Sequence, residues 1–420
     1  MAEATTYSGG RVIYDADSHL METKNWLHDY ADPDVRPLLG PLNLSAFPDP
    51  ALVPEYTPDY YEKGWSPEKA KEAEEHLWER KLWGAYGAVD PSERQVALDK
   101  FGFKKQIVFA TFCWGQFDTL AYAPTVTERD PKLVYGGARA HNRGVAEFCR
   151  GDNRMIATGM VPLDVPELAI EMTDELLNDG CRAIVIPTGV MEERSWSHPD
   201  YDPVWARMSE AKVPIVLHVG TGNFQLPKGL YNTGKPLVYM MAGRGIDTGN
   251  ESGWVMQDLL TTDLTVRWFL AALINDGVFA RHENLTCVVT EYQFDWVPWF
   301  GERLDSIYEM STMWAPDQYS MPMKPSEYFV ERVKHAPLVS GVRAEGSEVA
   351  EKGEALDLGA VINKTPNGER LFLFSSDFPH AEGGGDPLGD LQSSLRSLGD
   401  RAPDVMKRIL EDNFVDVYGG

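Results

Sequence analysis

Asp15, Asp17 and His19 alternate through the stretch Asp15-Ala16-Asp17-Ser18-His19, and Glu22 follows three residues on. Residues two apart in an extended chain share a face, so these three side chains are expected to point one way. A turn just after His19 brings Glu22 back toward them. Three more apolar runs end on similar groups: VPIVLH closes on His218, LTCVVT is followed by Glu291, and RLFLFSSDFPH carries Asp377 and His380. Taken singly, each has a plain reading as a solvated strand end or a hydrogen-bonded core histidine. Together they do not, because a carboxylate ending an apolar strand is costly if buried unpaired. Converging carboxylates also repel one another unless a multivalent cation neutralises them. The expected ligand set is therefore Asp17, His19, Glu22, His218, Glu291, Asp377 and His380, with Asp17 and Glu22 as alternatives for one position. It would hold one or two divalent ions.

Convergence requires a scaffold that gathers strand ends on one face. Strand patterns at 11–16, 104–112, 154–163, 181–189, 213–220, 285–292 and 370–380 alternate with helical patterns at 91–102, 138–150, 164–180, 202–211, 254–279, 296–311 and 402–419. A seventh strand is expected within 327–339. Helix 91–102 has Pro91 near its start and Gly102 as its stop, and helix 164–180 has Asp164 as its expected cap and Gly180 as its stop. Strands and helices in this rhythm predict an α/β fold, a (β/α)8 TIM barrel whose strand ends meet where active sites form. A barrel core takes about 250 residues. The surplus is assigned to long insertions at about 23–90, 221–253 and 336–368 in one domain spanning 1–420.

Trp114, Trp254 and Trp296 fall near strand ends and suit an apolar pocket for a small ring-containing or hydrophobic substrate. The glycine-rich 221–253 stretch suits a lid, and Arg244 within it suits an anionic group or plain surface. His28, His76, His198 and His282 lie in polar surroundings. His141 reads as structural, and His335 is ambiguous because the seventh strand is. The apolar 254–279 helix suits core packing or a homodimer contact.

A formal charge of −25 argues against nucleic acid as a partner. No apolar run is long enough to span a membrane. The start MAEATTYSGG lacks a basic and apolar leader, so a cytoplasmic location is expected. The cysteines Cys113, Cys149, Cys181 and Cys287 are widely spaced and read as reduced thiols.

The order of motifs resembles the amidohydrolase superfamily, in its amidohydrolase-related branch of aminocarboxymuconate-semialdehyde decarboxylase-like proteins. The resemblance rests on DADSH (15–19), HNRGVAEFC (141–149), VPIVLHVG (213–220), SDFPHAEG (376–383) and the closing ILEDNFVDVYG (409–419). It implies a metal held between strands one, five, six and eight. The family's first-strand His-x-His corresponds to Asp17-x-His19, its fifth-strand histidine to His218 and its last-strand aspartate to Asp377. Its sixth-strand position, often histidine, is Glu291 here. Two imidazoles have thus become carboxylates, a change away from the usual single zinc.

Three chemistries follow. A metal-dependent hydrolase is the first: the ion activates a water, and the resemblance implies Asp377 as both ligand and general base. A non-haem diiron monooxygenase is the alternative, since carboxylate-rich sites with a few imidazoles suit iron or manganese better than zinc. A non-oxidative decarboxylase is the second alternative, with the metal orienting a substrate carboxylate. A metal-free binding scaffold is the non-enzyme reading.

Overall fold

The computed structural model describes residues 6–42, 54–117, 130–189, 194–221, 234, 260–316, 320–340 and 356–420. Its strands are β1 (Tyr14–His19), β2 (Lys105–Phe109), β3 (Met155–Ala157), β4 (Gly159–Met160), β5 (Ile184–Val185), β6 (Ile215–His218), β7 (Cys287–Thr290) and β8 (Val333–Ala336). They pair in parallel in two sets, β1-β2-β3 and β4-β5-β6-β7-β8. β3 and β4 occupy one barrel position and are separated only by Thr158. The remaining position is filled by the extended segment 371–378, which bridges β8 at His335↔Phe372 and β1 at Ser18↔Phe378. It is stitched to β1 by Ala16 N–H to Phe374 O (2.9 Å), Asp377 N–H to Asp17 O (2.9 Å) and His19 N–H to Phe378 O (2.7 Å). The result is the expected closed (β/α)8 barrel. β6, β7 and β8 are buried along their whole length, as strands covered by helices on one side and barrel core on the other must be.

The helices follow from local chemistry. Helix Pro91–Phe101 starts on Asp90, whose carboxylate accepts the Ser92 N–H, and stops at Gly102 with φ 73°, a conformation only glycine adopts without strain. Helix Pro166–Asn178 begins one residue later than its acidic signal suggested: Val165, not Asp164, occupies the cap position. The 138–150 pattern belongs to a longer helix, Pro131–Cys149, capped by Asp130. The seventh position differs most from expectation. EYFVER within 327–339 belongs to helix Pro325–Arg332, and only Val333–Ala336 is strand. The apolar run gave no boundary, because helix and buried strand are equally apolar there.

The first insertion covers the carboxyl end of β1. Its described part holds helices Trp26–Tyr30, Pro58–Gly64 and Pro67–Glu75. It is tied down by Met21 N–H to Ala88 O (2.8 Å) and Leu82 N–H to Pro379 O (2.9 Å). The lid expected at 221–253, with Arg244, and Trp254 beside it, lies outside the described residues apart from Thr221 and Gly234. The four cysteines are free. Among the described residues no helix is long and apolar enough to cross a membrane.

Candidate metal centre

β1 does not alternate evenly. It pairs Asp15 with Gln106 and Ser18 with Val108, so three steps on β1 match two on β2. The extra residue is a bulge, which re-aims side chains on either side of it. Asp15, expected beside Asp17 and His19, is directed instead to the Gln106 amide (2.8 Å) and to the Ser376 N–H (2.9 Å) and hydroxyl (2.6 Å). Asp17 and His19, beyond the bulge, face the strand-end centre.

There they meet His218, Glu291, Asp377 and His380. Donor atoms of Asp17, His19, His218 and Glu291 lie within 4.8 Å of one another, and so do those of His19, Glu291, Asp377 and His380. His19 Nε2 is 3.4 Å from Asp17 Oδ1, 3.6 Å from Asp377 Oδ1 and 3.9 Å from Glu291 Oε1. His218 Nε2 is 3.6 Å from Asp17 Oδ1 and 4.0 Å from Glu291 Oε2. Ligands bonded to one ion at about 2.0–2.2 Å stand roughly 3–3.5 Å apart, so a small contraction brings these atoms to bonding distance.

Hydrogen bonds leave the right atoms free. His19 Nδ1 lies 3.0 Å from Ala110 O and His218 Nδ1 lies 2.7 Å from Val219 O. Each ring therefore donates from Nδ1 and presents a bare Nε2, the arrangement that orients histidine ligands. Ser375 Oγ donates to Asp17 Oδ2 (3.0 Å), which leaves Oδ1 for the centre. Asp17 Oδ1, His19 Nε2, His218 Nε2, Glu291 Oε1 and both oxygens of Asp377 are buried without hydrogen-bond partners. Such atoms are a small minority in native interiors, and six of them converging on one point is an arrangement a cation would satisfy as a whole. Glu291 and Asp377 also hold left-handed backbone, at φ 65° and 49°, a strain that non-glycine residues adopt where something compels it.

Electrostatics point the same way. Burial, with Asp377 and Asp17 nearby, pushes Glu291 far above the usual carboxylate range. Burial, with Asp17 and Glu382, does the same to Asp377. Burial acts to raise Asp17 as well, but the His19 and His218 imidazoles outweigh it and hold it low. Burial lowers His19 to about 3, so it stays a neutral donor.

One expected ligand, Glu22, lies outside both donor groups, and another, His380, belongs to the second. Glu22 belongs to neither group: its Oε1 accepts the N–H of Thr111 (2.8 Å), Phe112 (2.9 Å) and Cys113 (3.0 Å), closing the turn after β2. His380 stands at the edge. Its ring stacks on His19 with centroids 3.9 Å apart, its Nδ1 is 2.9 Å from Asp377 Oδ1, and its Nε2 is 3.1 Å from Thr111 Oγ1. With Nε2 on Thr111, its Nδ1 is left facing Asp377 and the donor group.

Of the pocket tryptophans, Trp114 reaches the centre, with its ring 5.3 Å from that of His218. Trp296 does not. It packs between Phe300 and Phe329 and against His335, and its indole N–H donates to Tyr292 O (2.8 Å). The helix that begins after it turns the ring toward the helix layer. His141 is buried against Asn142 and Trp114.

His335 is removed from the centre, enclosed by Trp296, Phe329 and Phe372, and neither ring nitrogen has a hydrogen-bond partner. Burial, then the Lys334 charge, lowers it from 6.5 to about 3. Between those values the unfolded chain takes up a proton that the folded chain refuses. Its contribution is therefore intact above pH 6.5 and is lost as pH falls, at about 1.4 kcal/mol per pH unit. Denaturant unfolding from pH 6 to pH 4 is expected to show His335→Leu with a slope shallower by that amount. Parallel slopes would refute the assignment.

Sequence reasoning passed over Arg94, Gln106 and Ser376, all buried behind β1. A signal was present: Arg94 shares its helix face with the buried Ala97, Leu98 and Phe101, so the 3.6-residue period already puts a cation in an apolar stripe.

The Amidohydro_2 (amidohydrolase) family model matches residues 73–420. Among solved structures, the fold is similar to amidohydrolase map2389c from Mycobacterium avium subsp. paratuberculosis K-10, with 20% identity and a TM-score of 0.65 over 98% of each chain. It is also similar to 5-carboxyvanillate decarboxylase from Novosphingobium aromaticivorans DSM 12444, complexed with manganese and 4-hydroxy-3-methoxy-5-nitrobenzoic acid. There the identity is 17% and the TM-score 0.57, over 100% of this chain and 99% of that one. A dihydroxybenzoic acid decarboxylase from Polaromonas sp. JS666, with bound manganese and 2-nitroresorcinol, gives 15% identity and a TM-score of 0.56 over 97% of each chain. At such identities the likeness speaks to the fold. No curated protein matches the chain in sequence.

Proposed function

The chain belongs to the Amidohydro_2 amidohydrolase family, and on that premise we propose a divalent-cation-dependent enzyme that removes CO2, without oxidation, from a small ring-bearing carboxylic acid. The observation that carries the reading is the set of buried, unpartnered donor atoms on Asp17, His19, His218, Glu291 and Asp377. These residues would hold the cation. When bound, it supplies the positive charge that draws in the substrate carboxylate and disperses the charge developing as the carbon–carbon bond breaks.

The chain's own groups do the rest. Asp377 is among the clustered donor atoms and neither of its oxygens has a hydrogen-bond partner, so one oxygen can face the cation while the other carries a proton. It is the acid that delivers a proton to the ring carbon as CO2 departs. His380, with Nδ1 2.9 Å from Asp377 Oδ1, borders the Oδ1 side of the carboxyl and leaves Oδ2 free for the substrate. Trp114, against His218, supplies an apolar wall that suits a ring and keeps water away.

Hydrolysis, expected first from the sequence, needs the same groups with Asp377 accepting a proton. Decarboxylation is preferred because the solved relatives named above with a stated reaction are decarboxylases of ring carboxylates holding manganese. Protein loaded with Mn2+ and given hydroxylated benzoates beside ring-bearing esters and amides, without oxygen, is expected to release CO2 and the decarboxylated ring. Ester or amide cleavage with no CO2 would overturn the reading. The diiron alternative has one observation in its favour: Glu291, a carboxylate and so able to bridge two ions, belongs to both donor groups. Two irons per chain, with oxygen consumed at turnover, would put it in first place.

A further inference from the structure

The β1 bulge leaves a gap in the ladder one step before Asp17, and the chain fills that gap with charge. The Asp15 side chain is fully buried and does the work of the lost backbone acceptors. Its Oδ1 accepts from Ser376 N (2.9 Å) and Asp17 N (3.3 Å), and its Oδ2 accepts from Ser376 Oγ (2.6 Å) and Gln106 Nε2 (2.8 Å). Gln106 is polarised from behind, because its Oε1 accepts from Arg94 Nη1 (3.0 Å). Arg94, also fully buried, donates further to Gly87 O (2.7 Å) and to the carbonyl of His19, and its guanidinium lies over the Phe378 ring at 4.9 Å.

We propose that Arg94, Gln106 and Asp15 form a positioning clamp that sets the spacing between the β1 donors Asp17 and His19 and the Asp377 donor on segment 371–378. Arg94 grips His19 by its carbonyl. Asp15 grips Ser376, which lies between Ser375, the donor to Asp17, and Asp377 itself. The clamp thus joins both sides of the barrel seam from outside the centre and touches no substrate. Burying an arginine and an aspartate stabilises little, while removing one partner alone is costly. The arrangement makes sense as a device for geometry. Gln106 passes polarity between the charges, with its oxygen toward Arg94 and its amide nitrogen toward Asp15, and only that order satisfies every group.

The inference rests on the proposed cation and is tested by cation affinity. Full-length Asp15→Asn, and the pair Asp15→Asn with Gln106→Glu, are titrated with Mn2+ alongside the unaltered chain, and the melting temperature of each cation-free protein is recorded. In Asp15→Asn an amide nitrogen faces the Gln106 amide nitrogen. Mn2+ is expected to bind about 10- to 100-fold more weakly, as when the partners of metal ligands are removed. The pair moves the carboxylate one residue toward Arg94 and restores donor-to-acceptor order, so its affinity is expected to return to within a few-fold of the unaltered chain. Should Asp15→Asn fail to fold, the pair carries the test by folding and binding Mn2+. Unchanged affinity in Asp15→Asn, a pair that binds no better than the single variant, or a pair that does not fold would overturn the clamp alone. Failure of the unaltered chain to bind Mn2+, Zn2+ or Fe2+ would overturn the proposed function, and the clamp with it.

Discussion

Asp377→Asn is expected to lower kcat by about 10²- to 10⁴-fold, the share that a positioned proton donor contributes. The substitution is nearly isosteric. Asparagine tolerates left-handed backbone, so φ 49° at this position and the Asp377 N–H bond to Asp17 O should both survive. Its amide oxygen still faces the centre, and cation content should remain close to that of the unaltered protein. What disappears is the acidic proton. KM should move little, because the substrate carboxylate is held by the cation. Steady-state kinetics with elemental analysis of the same preparation check both halves. A kcat within threefold of the unaltered enzyme would remove Asp377 from the chemistry. A large loss accompanied by loss of the cation would make it a ligand only.

Stripping the protein with a chelator is expected to abolish turnover and lower its melting temperature, and added Mn2+ should restore both. The melting shift follows from the charge at the centre. Glu291 and Asp377 both stand beside the buried Asp17, whose charge raises the cost of ionising each of them; a divalent ion removes that repulsion. An ion bound only by the folded chain stabilises it by about 2.7 kcal/mol at a hundred times its Kd. Asp17→Ala combined with His218→Ala should lose most of the Mn2+-induced melting shift, because it deletes two donors of one group. Glu22→Gln should keep that shift in full, since the Glu22 Oε1 is occupied by three backbone amides and glutamine offers the same acceptor. A melting shift lost in Glu22→Gln and kept in the double variant would reverse the assignment of donors.

The contrast between Glu22 and Glu291 shows how far residue patterns carry. Both are carboxylates just past an apolar run, and both were expected as ligands. Glu291 stands among the other donor atoms, because β7 lies beside β6 and β8 in the parallel ring and its end opens onto the shared face. Glu22 lies three residues beyond its strand, where the path of the chain depends on the turn after β2, a neighbour from about ninety residues away. Trp296 packs away from the donor cluster for a similar reason: closeness in sequence to a strand end does not say whether a ring turns toward the barrel mouth or the helix layer.

Local periodicity in the sequence determined the alternation of buried strands with amphipathic helices, hence the barrel, and the placement of Asp17, His19, His218, Glu291 and Asp377 at strand ends. These are properties of segments a few residues long, and a barrel brings all its strand ends to one face whatever the loops do. Only the tertiary structure decided which of those groups meet as donors. The bulge that turns Asp15 away from Asp17 exists only relative to β2, and the clamp behind it joins Asp15 to Ser376 across 361 residues of chain. A strand's own period fixes which residues share a face, but pairing with a distant partner fixes which residue is the extra one.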